Sequence, residues 1–110
     1  LYMEVVRRNG ADPNAGRRIP SWLARAGFKT IDISTTVALM DEPDEVRNWG
    51  DSWAVRVTTS ALAEQALAYG LVKSEDLARI AEGWRAWAHE EEALFMFVHV
   101  EGVATVPTSA

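Results

Sequence analysis

The sequence predicts an α/β fold in which two strands are separated by a pair of helices. Three patterns lead to this prediction: alternating apolar and polar residues at about 29–40, a clean helical stripe within 74–89, and an apolar run at about 93–101. Two strands, one of them apolar on both faces, need more cover than these helices provide. We therefore expect the 110 residues to form part of one larger domain, with the missing partners upstream.

The composition limits the classes of function. Sixteen acidic residues against eleven basic ones give a net charge of -5, which disfavours nucleic-acid binding. The chain has no cysteine and only two, well-separated histidines, so we expect no thiol chemistry and no metal site. The longest apolar stretch, 93–98, is too short to span a membrane. We expect a cytoplasmic protein that does not bind membranes.

Two helices are predicted before the first strand. The first covers residues 1–9, and Asn9-Gly10 ends it because glycine readily adopts the left-handed conformation that stops a helix. A sequence that opens inside a helix indicates a chain cut from a longer one. The turn-forming residues at 11–16 predict an exposed loop, and the second helix covers 19–26.

The first strand, at about 29–40, should have one apolar face and one solvent-exposed face. Its apolar positions are Ile31, Ile33, Val37 and Leu39, with Thr35 among them, and they alternate with Thr30, Asp32, Ser34 and Thr36. Side chains alternate between the faces of a strand, so this pattern is typical of a strand covered on one side. The acidic, proline-containing turn at 41–44 ends it.

Two helices and a second strand follow. The helices are predicted at 45–69 and 74–89; the β-branched residues 57–59 favour a kink in the first, and Ser74 is the expected N-cap of the second. The strand at about 93–101 is apolar on both faces, as expected of a strand covered above and below. Gly102 should bend or end it, with 103–106 as an extension.

No self-contained catalytic centre is predicted. No glycine-rich loop follows a strand, which excludes a dinucleotide or phosphate loop of the usual kind, and no serine, histidine and aspartate fall into a hydrolase pattern. The acidic run 90–92 is typical of solvated surface. Arg17 and Arg18 either bind an anion or pair with Asp12, and we favour a surface pair.

Four of the five tryptophans lie on the two helices between the strands: Trp49, Trp53, Trp84 and Trp87. Aromatic residues at helical spacing usually pack helices together. The functional alternative is that some of them line an apolar pocket for a flat or hydrophobic substrate, which Arg56 and His89 would help to orient. His99 lies on the strand that we expect to be buried, either as a core histidine or as an acid–base group beside that pocket.

The chain resembles a known enzyme family over essentially its full length. Residues 8–23, followed by Ala26-Gly27-Phe28, resemble the late region of class I, type-11-like S-adenosylmethionine-dependent methyltransferases, where such a pattern leads into the sixth strand. Residues 69–77 and 84–88 resemble the insertion before the seventh strand, and 93–102 resembles that strand.

The resemblance implies the C-terminal part of a Rossmann-like methyltransferase fold. The seventh strand of that fold inserts antiparallel between the fifth and sixth, so 93–101 would be the inner strand and 29–40 the edge strand, with a two-helix insertion over the substrate pocket. The implied reaction is in-line transfer of a methyl group from S-adenosylmethionine to a small-molecule acceptor, helped by positioning and desolvation. The N-terminal half would bind the cofactor, so no cofactor-binding residue is assigned, and this segment alone would be inactive.

Two other interpretations stay open. The chain could be a non-catalytic interaction or dimerisation module whose tryptophan-rich helices meet a partner, for example in a homodimer. It could also be a small independent α+β domain, but then these helices alone would have to cover the apolar strand.

Overall fold

A computed structural model describes residues 1–107. The elements in chain order are α1 (Tyr2–Arg8), a 3₁₀ turn (Ala15–Arg18), α2 (Ile19–Arg25), β1 (Ile31–Met40), α3 (Pro43–Thr59), α4 (Ala61–Ala68), α5 (Ser74–Ala88) and β2 (Phe95–Ala104). The described residues therefore form a mixed fold of five α-helices and a two-stranded antiparallel sheet. Among these residues, no helix has the length and apolarity that crossing a bilayer requires.

The sheet pairs β1 with β2 over their whole length. Ile31 lies opposite Ala104 and Met40 opposite Phe95. β2 continues through Gly102 to Ala104, so this glycine does not end the strand. A Cβ atom there would lie 2.7 Å from Cδ1 of Leu23, and the missing side chain therefore lets α2 pack directly on the sheet.

The two faces of the sheet have different environments. Residues paired across the strands share a face, and the apolar face predicted for β1 continues on β2. α2 covers this face only near Ile33 and Gly102. At the other end Val37, Met96 and Val98 are 57%, 63% and 61% exposed. Within the described residues this face of β2 is thus covered at Val100 and Gly102, by the 3₁₀ turn and α2, and exposed at Met96 and Val98.

The predicted helix 45–69 is two helices, because the chain leaves the helical conformation at Ser60, where ψ is 175°. Three consecutive hydroxyl groups donate to carbonyls of the preceding turn: Thr58 and Thr59 to Val55 at 3.1 and 2.7 Å, and Ser60 to Arg56 at 2.5 Å. Hydroxyls bonded in this way compete with the backbone and favour a break over continuation. The β-branched run was expected only to kink the helix.

Helix ends follow the sequence closely. α1, α2 and α4 each end at a glycine with positive φ, namely Gly10, Gly27 and Gly70, as predicted. The N-cap of α5 is Lys73, one residue before the expected Ser74. The carboxylate of Asp76, at the third position of the helix, accepts a hydrogen bond from the backbone N–H of Lys73 at 2.9 Å, which is the part that an acidic residue plays in a capping box.

The helical layer is held by small side chains. α3 and α5 approach so closely at Gly50 that an added Cβ atom would lie 2.5 Å from the Cβ of Ala88. The buried centre of this layer consists of Ala54, Val57 and Ala81. The radius of gyration is 18.3 Å, against about 13 Å for a compact domain of this length. The described part of the molecule is therefore elongated, with extents of 60 × 35 × 16 Å.

Substitution of Gly50 by alanine should weaken the packing of α3 against α5. Overpacking at a close crossing costs about 1–3 kcal/mol, which exceeds the gain of up to about 1 kcal/mol in helix propensity. Gly83 is the matched control, because it is also helical but has open space where its Cβ would be. Thermal unfolding followed by circular dichroism should show a lower Tm for Gly50→Ala and a higher one for Gly83→Ala. Equal shifts in both variants would contradict this packing.

The stability of α5 should depend on pH through Asp76. The hydrogen bond from the backbone N–H of Lys73 and, to a smaller extent, the pairing with Arg79 hold the pKa of Asp76 below its ordinary value of 3.8. A lowered pKa contributes stability that is present above the unfolded-state value and is lost as the pH falls through the folded-state value. Asp76→Asn should therefore lower the Tm at neutral pH, and the difference from the wild type should shrink below pH 3.8. Glu75→Gln, which changes an exposed neighbour in the same turn, should show a smaller difference at neutral pH.

Candidate functional site

An open cleft of about 970 Å³ lies between the helical layer and the sheet. Ligand pockets typically measure about 300–1,000 Å³, so the cleft is large enough for a small organic molecule. Six aromatic side chains line it: Tyr2, Trp49, Trp53, Trp84, Phe95 and Phe97. We call this cavity the aromatic cleft.

The aromatic side chains of the cleft are in mutual contact. Trp53 and Trp84 stack with ring centroids 5.7 Å apart and an interplanar angle of 18°, which joins α3 to α5. Trp49 stacks on Phe97 at 5.8 Å and lies 5.0 Å from Phe95, which joins α3 to β2. Contacts of this kind contribute about 0.5–1.5 kcal/mol each beyond the area that they bury.

Local periodicity explains how these residues meet. Trp49 and Trp53 are one helical turn apart and therefore lie on the same face of α3. Phe95 and Phe97 are two residues apart on β2 and so project from the same face of the sheet. Trp84 reaches the same space from α5, with its centroid 6.0 Å from that of Phe95. The rings that pack the helices together therefore also line the cleft.

Arg56 lies beside the cleft without lining it. Its guanidinium carbon is 4.6 Å from the centroid of the Trp53 ring, a cation–π geometry on an exposed side chain. Arg56 therefore supports the position of Trp53. The indole N–H of Trp49 is buried without a hydrogen-bond partner among residues 1–107.

The other predicted site residues are placed differently. Trp87 contacts Trp84 and Phe95 edge-on but lines a smaller adjacent depression of about 350 Å³. His89 is the exposed C-cap residue of α5 and lines neither of these two cavities. His99 was expected to be buried but is exposed, with its ring centroid 4.8 Å from that of Phe97.

Sequence reasoning missed part of the lining. Phe95 and Phe97 were treated only as residues of a buried strand, although their spacing of two already placed them on one face. Tyr2 contacts Trp53 edge-on at 5.6 Å from a helix that is distant in sequence, and no local pattern reveals this contact. Asn14, in the loop predicted at 11–16, and Arg17, in the 3₁₀ turn, also line the cleft.

The lining of the cleft is mainly apolar. Its lining residues include no histidine and no carboxylate, and Arg17 is the charged side chain among them. Residues 1–107 contain no group of three or more His, Cys, Asp or Glu side chains that could hold a metal ion. The cleft offers an apolar surface with a polar edge formed by Asn14 and Arg17.

Comparison of the chain with protein-family profiles, with curated proteins and with solved structures finds no match.

Truncation of Trp84 tests whether the aromatic cluster holds the helices together. Trp84→Ala removes contacts with Trp53, Trp87 and Phe95 and should lower the free energy of unfolding by about 3–5 kcal/mol. It should also abolish the exciton band that stacked indoles give in far-ultraviolet circular dichroism. Trp22→Ala is the control, because Trp22 is 44% exposed on α2 and should cost less than about 1 kcal/mol. Similar losses for both variants, with the exciton band retained, would contradict the role of Trp84.

Proposed function

We propose that the chain is the C-terminal, substrate-side half of a cytoplasmic S-adenosylmethionine-dependent methyltransferase that acts on a small-molecule acceptor. The resemblance of residues 8–28, 69–77, 84–88 and 93–102 to the type-11-like family is the starting point. The observation that carries the proposal is the arrangement of β1 and β2 with an aromatic cleft beside them.

The strand arrangement supports the proposal because it leaves one edge of β2 unpaired and part of one face exposed. β2 has a single neighbouring strand among the described residues, so its second edge presents unpaired backbone groups. On one face of β2, Met96 and Val98 are also mostly exposed. An inner strand of a larger sheet has these properties when its other neighbour is removed, and residues 93–101 have this position in the Rossmann-like methyltransferase fold that the resemblance implies.

The residues of this chain do not fit the cofactor. A nucleotide-type cofactor is usually held by a glycine-rich turn between a strand and the N-terminus of a helix. The positive-φ glycines Gly10, Gly27 and Gly70 instead end helices, and none follows a strand. We therefore assign cofactor binding to a part of the enzyme outside these 110 residues.

In this proposal the chain binds and orients the acceptor. The stacked rings of Trp49, Trp53 and Trp84 offer rigid apolar walls that exclude water from a flat ligand. The cleft lining contains no carboxylate or histidine to take a proton from the acceptor. Catalysis supported by these residues is therefore positioning and desolvation of the acceptor.

A non-catalytic interaction module is the second candidate. The exposed apolar patch around Val37, Met96 and Val98 favours it, because contiguous exposed apolar surface commonly marks an interface. A second copy of the chain packing on this patch would give a homodimer. The two candidates differ in what covers the sheet, namely further elements of the same domain or a partner chain.

Titration calorimetry with S-adenosylmethionine separates the two candidates. We expect no binding to the 110-residue chain and micromolar binding to the same chain extended upstream through its reading frame. Light scattering should show that the extended protein is a monomer and that its Tm rises when the cofactor is added. Micromolar binding to the 110 residues alone would contradict the assignment of the cofactor site, and no binding to either chain, with a dimeric mass, would favour the interaction module.

A further inference from the structure

The charges around the aromatic cleft are distributed unevenly. The chain carries sixteen acidic residues and eleven basic ones, yet none of the acidic residues lines the cleft. The charged residue that does line it is Arg17. A cleft without carboxylates in an acidic chain does not suit a cationic ligand, although aromatic walls alone would.

Both carboxylate oxygens of the neighbouring Asp12 already have partners within the chain. Its Oδ2 atom pairs with Nε of Arg18 at 2.6 Å, and its Oδ1 atom accepts the backbone N–H of Asn14 at 2.8 Å. Arg17 makes no ion pair within residues 1–107. Of the two adjacent arginines, one therefore holds the loop together and the other has its guanidinium available for a ligand.

The position of Arg17 is set by contact of its turn with the sheet. A Cβ atom on Gly16 would lie 2.9 Å from Cγ2 of Val100, so the absence of a side chain lets the 3₁₀ turn pack directly on β2. The side chain of Arg17 follows immediately and is exposed at the cleft. Asn14 lines the cleft from the same loop. The apolar walls thus meet a positive, hydrogen-bonding edge on one side.

We propose that the aromatic cleft takes a flat aromatic or apolar molecule bearing one anionic group, with Arg17 binding that group at the edge. Carboxylate, phenolate, sulfonate and phosphate groups all share the chemistry that a guanidinium recognises. We identify this molecule with the methyl acceptor, and that identification rests on the proposed function. The binding itself involves no cofactor and is tested without one.

A pair of fluorescent probes with the same ring system tests the proposal. Anilinonaphthalenesulfonate carries one anionic group, whereas phenylnaphthylamine has the same aromatic rings and no charge. Both should accept energy from the tryptophans when bound beside Trp53 and Trp84. The 110-residue chain is titrated with each probe, and affinity is taken from the sensitised emission.

The matched variants are Arg17→Gln and Arg25→Gln. Each removes one positive charge from an exposed arginine, but Arg25 lies in the last turn of α2 and does not line the cleft. Arg17→Gln should weaken binding of the anionic probe about threefold to fivefold, as expected for a partly solvated ion pair, and leave the neutral probe unchanged. Arg25→Gln should leave both unchanged.

Three results would overturn the proposal: no binding of either probe, equal effects of Arg17→Gln on both probes, or an effect of Arg25→Gln as large as that of Arg17→Gln. A probe bound to the exposed face near Val37 and Met96 instead of the cleft would show no dependence on Arg17. The proposed function fails separately, when the extended chain does not bind S-adenosylmethionine, so the two failures are distinguishable.

Discussion

The junction between the helices and the sheet depends on a small number of aromatic contacts. Trp49 of α3 and Trp84 of α5 both contact Phe95 of β2, and Trp49 also stacks on Phe97. The other buried side chains of the helical layer are mainly alanine and valine, which bury little area each. Large rings that bury about 150–250 Å² can bridge the gap between layers that such small side chains leave. The aromatic cluster is therefore both the structural junction and the wall of the cleft.

This double role constrains the cleft. Rings that stack on one another have few free rotamers, so the apolar walls are largely fixed before any ligand binds, which lowers the entropy cost of binding. The loop that carries Arg17 is fixed differently, by the ion pair between Arg18 and Asp12 and by the close approach of Gly16 to Val100. An exposed ion pair contributes little energy, and the loop is the part of the site best able to adjust to ligands of different size.

The sequence predicted those features that local chemistry determines. Strand β1, the apolar alternation along it, and the glycines that end α1, α2 and α4 all follow from periodicity and from backbone freedom at glycine. The break at Ser60 was missed because it arises from three hydroxyls acting together, whereas propensity treats each residue separately. The site was half predicted: Trp49, Trp53 and Trp84 line the cleft, but His89 does not. Partners from distant segments, such as Tyr2, depend on tertiary packing that no local pattern encodes.

The sequence predicted that β2 needs cover on both faces and that these helices alone do not provide it. Within the described residues, α3 and α5 contact Phe95 and Phe97 on one side, whereas Met96 and Val98 on the other side stay mostly exposed. Leaving Met96 and Val98 in water forfeits about 1.5–3 kcal/mol for each side chain that burial would stabilise, and a two-stranded sheet is marginal by itself. The sequence of β2 thus suits the interior of a larger sheet. Its exposed face needs an additional covering surface. Pairing of the second edge of β2 would in addition fix the strand that carries one wall of the cleft.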